Sequence, residues 1–259
     1  MNTDAIFDTH CHYDDEAFDQ DREEILSNLQ SDGIGKVVDV GADIESSKAA
    51  LRLAQQYDYI CAALGVHPSD TEGLTQEDMR WIEENSHHEK VVAIGEIGLD
   101  VHWPEPSLEI QKTWFIRQIQ IAKEVNLPII VHSRDAAAET MKLITEQRAY
   151  DCGGVIHCYS YSPEMAKEYV KMGFYIGVGG VVTFKNAKKL KQTVQQIPLE
   201  TIVLETDCPY LAPEPYRGKR NYSGYLHYVV DAIAQLKGIS KEEVVHVTTE
   251  NAHKMYRLS

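Results

Sequence analysis

Short runs of β-branched and apolar residues recur along the chain, and each is followed by a longer stretch with a helical hydrophobic period. Eight such runs stand at 6–8, 36–41, 59–66, 91–95, 128–132, 154–157, 174–182 and 201–205. Helical patterns follow them at 16–31, 44–57, 75–85, 107–125, 135–147, 162–172, 186–196 and 223–237, with a last one at 240–257. Several carry boundary signals. Ser162-Pro163 sets a capping residue before a first-turn proline, Asp135 precedes an Ala-rich segment, and Gly173 stands where a left-handed residue closes a helix. Eight strand–helix units predict an α/β fold, a (β/α)8 TIM barrel. A doubly wound open sheet is the competing arrangement. It usually has fewer strands and a glycine-rich first turn, whereas the first run here ends in Thr9-His10-Cys11-His12 without G-x-G-x-x-G.

Composition narrows the classes. Residues 1–259 read as a single barrel domain, and 43% hydrophobic residues with 14 Tyr provide a core, which excludes disorder. The chain carries 25 Lys and Arg against 40 Asp and Glu, a net charge of −15. That excludes a protein that coats nucleic acid, because such affinity comes from many cations displacing counterions. No stretch approaches the ~18 apolar residues of a membrane helix. The polar start Met1-Asn2-Thr3-Asp4 does not read as a signal peptide. Cys11, Cys61, Cys152, Cys158 and Cys208 are scattered and form no C-x-x-C, so neither a disulfide framework nor a thiolate zinc site is expected. The expected location is cytoplasmic, with no obligate protein partner evident.

The chemistry gathers at the ends of the runs. The first ends in His10-x-His12, two imidazoles on one side of a strand. Others end in Gly65-Val66-His67-Pro68, Gly95-Glu96-Ile97-Gly98-Leu99-Asp100, Val131-His132-Ser133-Arg134, Ile156-His157-Cys158 and Glu205-Thr206-Asp207-Cys208-Pro209. In a parallel barrel these ends share the face on which active sites are built. Any one of these histidines alone reads as a polar rim residue. Together, His10, His12, Glu96, His132, His157 and Asp207 exceed the needs of one tetrahedral zinc and suit two divalent cations with a bridging carboxylate. Imidazole and carboxylate donors are compatible with Mg, Mn, Zn, Ni or Fe. Strand alternation turns Cys11, Cys158 and Cys208 away from the proposed ligands, as packing residues.

These motifs resemble the TatD family of metal-dependent deoxyribonucleases. The matching segments run in order over nearly the whole chain: Phe7-Asp8-Thr9-His10-Cys11-His12, Gly65-Val66-His67-Pro68, Gly95–Asp100, 128–134, 154–158, 205–213 and 217–221. The resemblance implies that His10, His12, Glu96 and Asp207 hold one metal, and that Glu96, His132 and His157 hold the second, with Glu96 bridging. The sequence departs from many relatives at Val101-His102, where they carry aromatics.

The implied reaction is hydrolysis of a phosphodiester, with single-stranded DNA ends or RNA as substrate and no membrane involved. Asp207 is expected to steer or accept the proton of the attacking water in addition to ligating, with pure ligation as the alternative. Glu205 lies one layer deeper on the same side of its strand, as a partner for a histidine ligand or a proton relay. His67 is placed to donate to a phosphate oxygen or the leaving group. Arg134, Arg217, Lys219 and Arg220 are candidate phosphate contacts, the last three in the loop after the eighth strand. Lys185, Lys188, Lys189 and Lys191 form a further basic cluster, and Trp103, Tyr159, Tyr161, Phe184 and Tyr210 border the same loops, where rim packing is the simpler role for most of them. Two competing functions remain. One is ester or amide hydrolysis by the same site, for example D-aminoacyl-tRNA deacylation. The other is a non-catalytic binding protein whose metals only stabilise it.

Overall fold

The computed structural model describes residues 5–258, so the polar stretch 1–4 read above lies outside the described residues. Eight strands follow one another in a single parallel sheet in the order β1 to β8, the (β/α)8 TIM-barrel topology. They are β1 Ile6–Cys11, β2 Ile34–Val40, β3 Ile60–Leu64, β4 Val91–Asp100, β5 Ile129–Arg134, β6 Gly154–Ile156, β7 Phe174–Val178 and β8 Ile202–Leu204. The helices are α1 Arg22–Asn28, α2 Ile44–Gln56, α3 Gln76–Asn85, α4 Leu108–Glu124, α5 Ala137–Glu146, α6 Pro163–Lys171, α7 Lys188–Gln196, α8 Leu226–Lys237 and α9 Lys241–Met255. Among the described residues no helix is long and apolar enough to cross a membrane. The fold divides into two compact units, Met1–Val38 with Cys158–Ser259, and Asp39–His157.

In the first unit, β1 is buried along its whole length, polar residues included. Its carbonyl at His10 accepts the amides of Thr206 (3.3 Å) and Asp207 (2.9 Å), and the His12 amide donates to Cys208 O at 2.8 Å. The centre of this seam is the buried carboxylate of Asp8. Its Oδ1 accepts the amides of His10 (3.3 Å) and Thr206 (3.0 Å), and its Oδ2 accepts the hydroxyls of Thr206 (2.6 Å) and Ser223 (2.6 Å). Because Ser223 spends its proton on Asp8, the Tyr13 hydroxyl donates to Ser223 Oγ at 2.8 Å. Burial pushes Asp8 up to about 6 against the pull of these hydrogen bonds. The C-terminal helix closes the same core: Asn251 donates to the carbonyls of Leu199 (2.8 Å) and Ile202 (2.7 Å), and the Tyr256 hydroxyl donates to Thr9 O at 2.7 Å.

In the second unit, β4 is ten residues long and buried throughout, twice the length the apolar run suggests. Its polar members end the hydrophobic pattern but not the strand. The β4–β5 register shifts between Ile94 and Ile97, a bulge that re-aims Glu96. Gly98, at φ +149°, pairs with His132, and a Cβ there would lie 1.9 Å from His132 O. Only glycine allows that approach.

Other boundaries also differ from the pattern. The run 174–182 is strand only to Val178. Gly179 and Gly180 then turn the chain into a 3-10 helix, Gly180–Thr183, where a Cβ on Gly180 would lie 2.2 Å from Leu211 O. The pattern 16–31 divides into a 3-10 turn, Glu16–Phe18, and α1, because Arg22 gathers the carbonyls of Tyr13 (2.5 Å), Asp14 (3.1 Å) and Asp15 (2.9 Å) at the break. Asp135 does not cap α5. It adopts φ +54°, and Ala136 takes the cap position without a side-chain hydrogen bond. Ser162 caps α6 with Pro163 behind it, and Gly173 follows that helix at φ +91°.

Removing the Asp8 carboxylate strands two amides and two hydroxyls in the core. Asp8→Ala is therefore expected to cost about 3 kcal/mol or more, and Asp8→Asn, which keeps one acceptor, clearly less. Urea unfolding of the metal-free protein measures both, and a loss under about 1 kcal/mol for Asp8→Ala would contradict this role.

Candidate metal centre

The second unit gathers a carboxylate and two imidazoles at the ends of β4, β5 and β6. Glu96 Oε1 lies 2.8 Å from His132 Nδ1 and 3.6 Å from His157 Nε2. One donor atom from each of the three falls within 4.8 Å of the others. Glu96 and His157 are buried, at 4% exposure each, so the group is shielded from bulk water. Backbone bonds hold the donors in place: the Glu96 amide donates to Gly41 O at 3.0 Å, and the His157 amide to Val131 O at 3.0 Å. Three inward donors of this kind fit a divalent cation.

Asp100 is a residue the sequence reading passed over. Its Oδ2 lies 3.2 Å from His132 Nε2, on the opposite side of the ring from Glu96. It closes the segment Gly95–Asp100 at the end of the fourth run, but a lone Asp at a strand end reads as a rim residue until its contact with His132 is seen. Asp8 stands within the first run, two residues before His10 on the same face of β1, and sequence alone assigns it no role.

His132 sits between two carboxylates. Burial alone lowers its pKa, but hydrogen bonds to Asp100 and Glu96 overcome that and raise it to about 9. Burial likewise pushes Asp100 up, and the bonds from His132 and the His102 amide bring it below the usual carboxylate value. The His67 ring stands 4.2 Å from the His132 ring. Its Nδ1 accepts the Ser69 amide at 3.1 Å, so in the neutral ring the proton is on Nε2.

The first unit carries a separate group. His10 and His12 bring their Nε2 atoms within 3.1 Å of each other, and Asp207 Oδ1 lies 3.7 and 3.4 Å from them. Asp207 adopts φ +57°, with its amide on His10 O. Two imidazole lone pairs and a carboxylate aimed at one point also fit a cation. Glu205 is buried beside them. Its Oε1 accepts the Cys158 amide at 2.6 Å, and only a glycine at 177 leaves room for it, since a Cβ there would lie 2.3 Å from Oε2. Glu205 and Asp207 line a cavity of about 40 Å³ with Cys158, Tyr159, Val181 and Leu211. Cys158 follows β6 at φ +45° and is half-buried, so strand alternation does not turn it away as expected, whereas Cys11 and Cys208 are fully buried.

The basic candidates differ in their freedom. Arg134 and Lys219 are exposed, and among the described residues neither side chain has an ion pair or hydrogen bond. Arg217 lies over the Phe184 ring at 4.4 Å. Arg220 is bound to Asp21 (2.8 and 2.5 Å) and to Ala17 O (2.6 Å), and stands over Phe18. Lys185, Lys188 and Lys189 are exposed, and Lys191 is half-buried. Among the aromatics, Tyr159 and Phe184 are buried, while Trp103 and Tyr210 are more than half exposed.

A sequence profile described as TatD related DNase matches residues 7–257. The uncharacterized metal-dependent hydrolase YabD of Bacillus subtilis is 47% identical over 254 residues, covering 98% of this chain and 100% of that protein. The uncharacterized metal-dependent hydrolase YcfH of Escherichia coli is 35% identical, covering 98% of this chain and 96% of that one. Among solved structures, YJJV, a TatD homolog from Escherichia coli, superposes with a TM-score of 0.93 at 29% identity, covering 99% of this chain and all of that one.

A cation can take only a neutral imidazole nitrogen, so binding at His132 must displace a proton that the metal-free protein holds up to about pH 9. Zinc titration by calorimetry at pH 7.5 in buffers of different ionisation enthalpy is expected to show about one proton released on filling the His132 site, with affinity there weakening as pH falls. Pairing His132 raises its pKa above the unfolded value, so its contribution to metal-free stability is complete below about pH 6.5 and lost as pH rises through 9. Buffer-independent heats together with a flat stability profile from pH 6.5 to 9 would contradict the assignment.

Proposed function

The chain belongs to the TatD-related DNase family, and from that premise we propose that this metal-dependent hydrolase cleaves phosphodiester bonds at the ends of single-stranded DNA. The observation that carries the proposal is the pair of donor groups, each built from imidazoles and a carboxylate, at the ends of parallel strands. The family resemblance assigns His10, His12, Asp207 and a shared Glu96 to one cation, and Glu96, His132 and His157 to a second. When bound, the cations supply Lewis acidity toward the phosphoryl oxygens and lower the pKa of a water.

The protein's own groups do the rest. Asp207, fixed by its amide on His10 O, offers its carboxylate to the proton of the attacking water. Glu205, buried next to it, holds the surrounding backbone through the Cys158 amide and can receive that proton in turn. His67 presents Nε2–H, the tautomer required to donate to a phosphate oxygen or to the departing sugar oxygen. Arg134 and Lys219, whose side chains make no hydrogen bond or ion pair among the described residues, attract the phosphate backbone, and Arg217 contributes from its place on Phe184. Arg220 acts on the substrate only if it leaves Asp21, so its first role is to hold the loop after β8.

The direct test is cleavage of end-labelled single-stranded DNA by metal-free protein reloaded with Mg, Mn, Zn, Ni or Fe. The expected result is stepwise shortening that falls at least ~100-fold in Asp207→Ala and His132→Ala. Failure with every metal overturns the proposal, and activity on D-aminoacyl-tRNA alone would move the same site to ester hydrolysis. Arg134→Ala should raise KM about tenfold with kcat nearly unchanged, the value of one charge-assisted contact. Equal losses in kcat and kcat/KM would instead place Arg134 at the reacting phosphate.

A further inference from the structure

We propose that Asp100 is the positioning carboxylate of the His132 site, and that α4 sets it in place through Gln111. The inference rests on the metal reading above and adds a chain of command behind one ligand.

An imidazole gives a cation one nitrogen, and its other nitrogen then carries the proton. His132 has a candidate partner on each side, so the question is which nitrogen faces the cation. On the Nδ1 side stand Glu96 Oε1 at 2.8 Å and, around that same oxygen, His157 Nε2 at 3.6 Å. On the Nε2 side stand Asp100 Oδ2 at 3.2 Å and the His67 ring. The second side is poorly equipped. His67 uses its Nδ1 lone pair to accept the Ser69 amide, so its Nε2 holds a proton and offers the cation nothing. The Nδ1 side supplies Glu96 and His157 as further ligands. His132 therefore faces the cation with Nδ1 and donates Nε2–H to Asp100. A carboxylate behind a metal-bound histidine fixes the tautomer and the ring's orientation.

Asp100 is built to do this. It is 4% exposed, and its Oδ1 already accepts the His102 amide at 2.9 Å, which leaves Oδ2 for His132. Its backbone is clamped on both sides by the buried side chain of Gln111. Gln111 Oε1 accepts the Asp100 amide at 2.8 Å, while Nε2 donates to the carbonyls of Asp100 and Pro106, both at 2.8 Å. Two residues earlier, the glycine at 98 lets β4 lie directly against the His132 backbone. The carboxylate is thus held at both oxygens and along its backbone, and it holds the imidazole at Nε2 in turn.

The test uses Zn²⁺ alone, without substrate. In the zinc-loaded wild-type protein, long-range ¹H–¹⁵N spectra of the histidine rings should show His132 protonated at Nε2 and metallated at Nδ1. Competition against a chelating dye should show zinc held about 10- to 100-fold more weakly at this site in Asp100→Ala, with a smaller loss in Asp100→Asn, which keeps one acceptor. A purely structural role would lower the melting temperature without changing zinc affinity or the tautomer. Protonation of His132 at Nδ1 in the loaded wild-type protein overturns the proposal, as does zinc affinity within about twofold of wild type in a folded Asp100→Ala. The spectra need only the wild-type chain, so they decide the matter even if the variants do not fold. A wild-type chain that binds no zinc overturns the metal reading and this proposal with it, whereas zinc binding with the wrong tautomer overturns the proposal alone.

Discussion

An ionisable side chain buried at the end of an apolar strand must have a partner, and much of this structure follows from that constraint. Asp8, Glu96, Asp100 and Glu205 are each at most 4% exposed. Each is met by amides, hydroxyls or imidazoles placed for it. The fold makes room for them with unusual backbone: a bulge at Glu96, and glycines at 98 and 177 where any side chain would collide with the histidine strand or with Glu205 itself. Such an arrangement is expensive for a core and ordinary for a metal centre, in which a cation completes the pairing.

The barrel topology was legible because its signal repeats: eight apolar runs alternating with helical periods match the eight strands and their helices. The histidines were legible because each interrupts an apolar run at its end, as His132 does after Val131 and His157 after Ile156. What hydrophobic pattern could not convey was a polar residue still inside a strand. Glu96 lies inside β4 and Asp100 closes it, yet only the contact with His132 and the Gln111 clamp give Asp100 a role, and neither is visible in the pattern. The pattern also overextends 174–182, where the strand stops at Val178 and the chain turns at Gly179 into a 3-10 helix, Gly180–Thr183, that buries Val182. Asp135 has the right chemistry for a helix cap but adopts a left-handed conformation, and nothing in its neighbours' identity announces that.

Net charge is a poor guide to the proposed substrate. Part of the −15 lies in carboxylates buried inside the fold, where cations would offset it. The basic residues also divide by commitment: Arg220 is held by Asp21, while Arg134 and Lys219 remain available. An enzyme of this kind is suited to engaging a few phosphates at a strand end and releasing them, rather than coating a length of nucleic acid.

The central claim is that the buried imidazole–carboxylate groups are cation sites, and metal content tests it most directly. Protein stripped with chelator, reloaded with a divalent cation and dialysed to equilibrium should retain two ions per chain by elemental analysis, falling toward one in His132→Ala. A wild-type chain that retains none, or whose retention is untouched by losing His132, would contradict the account.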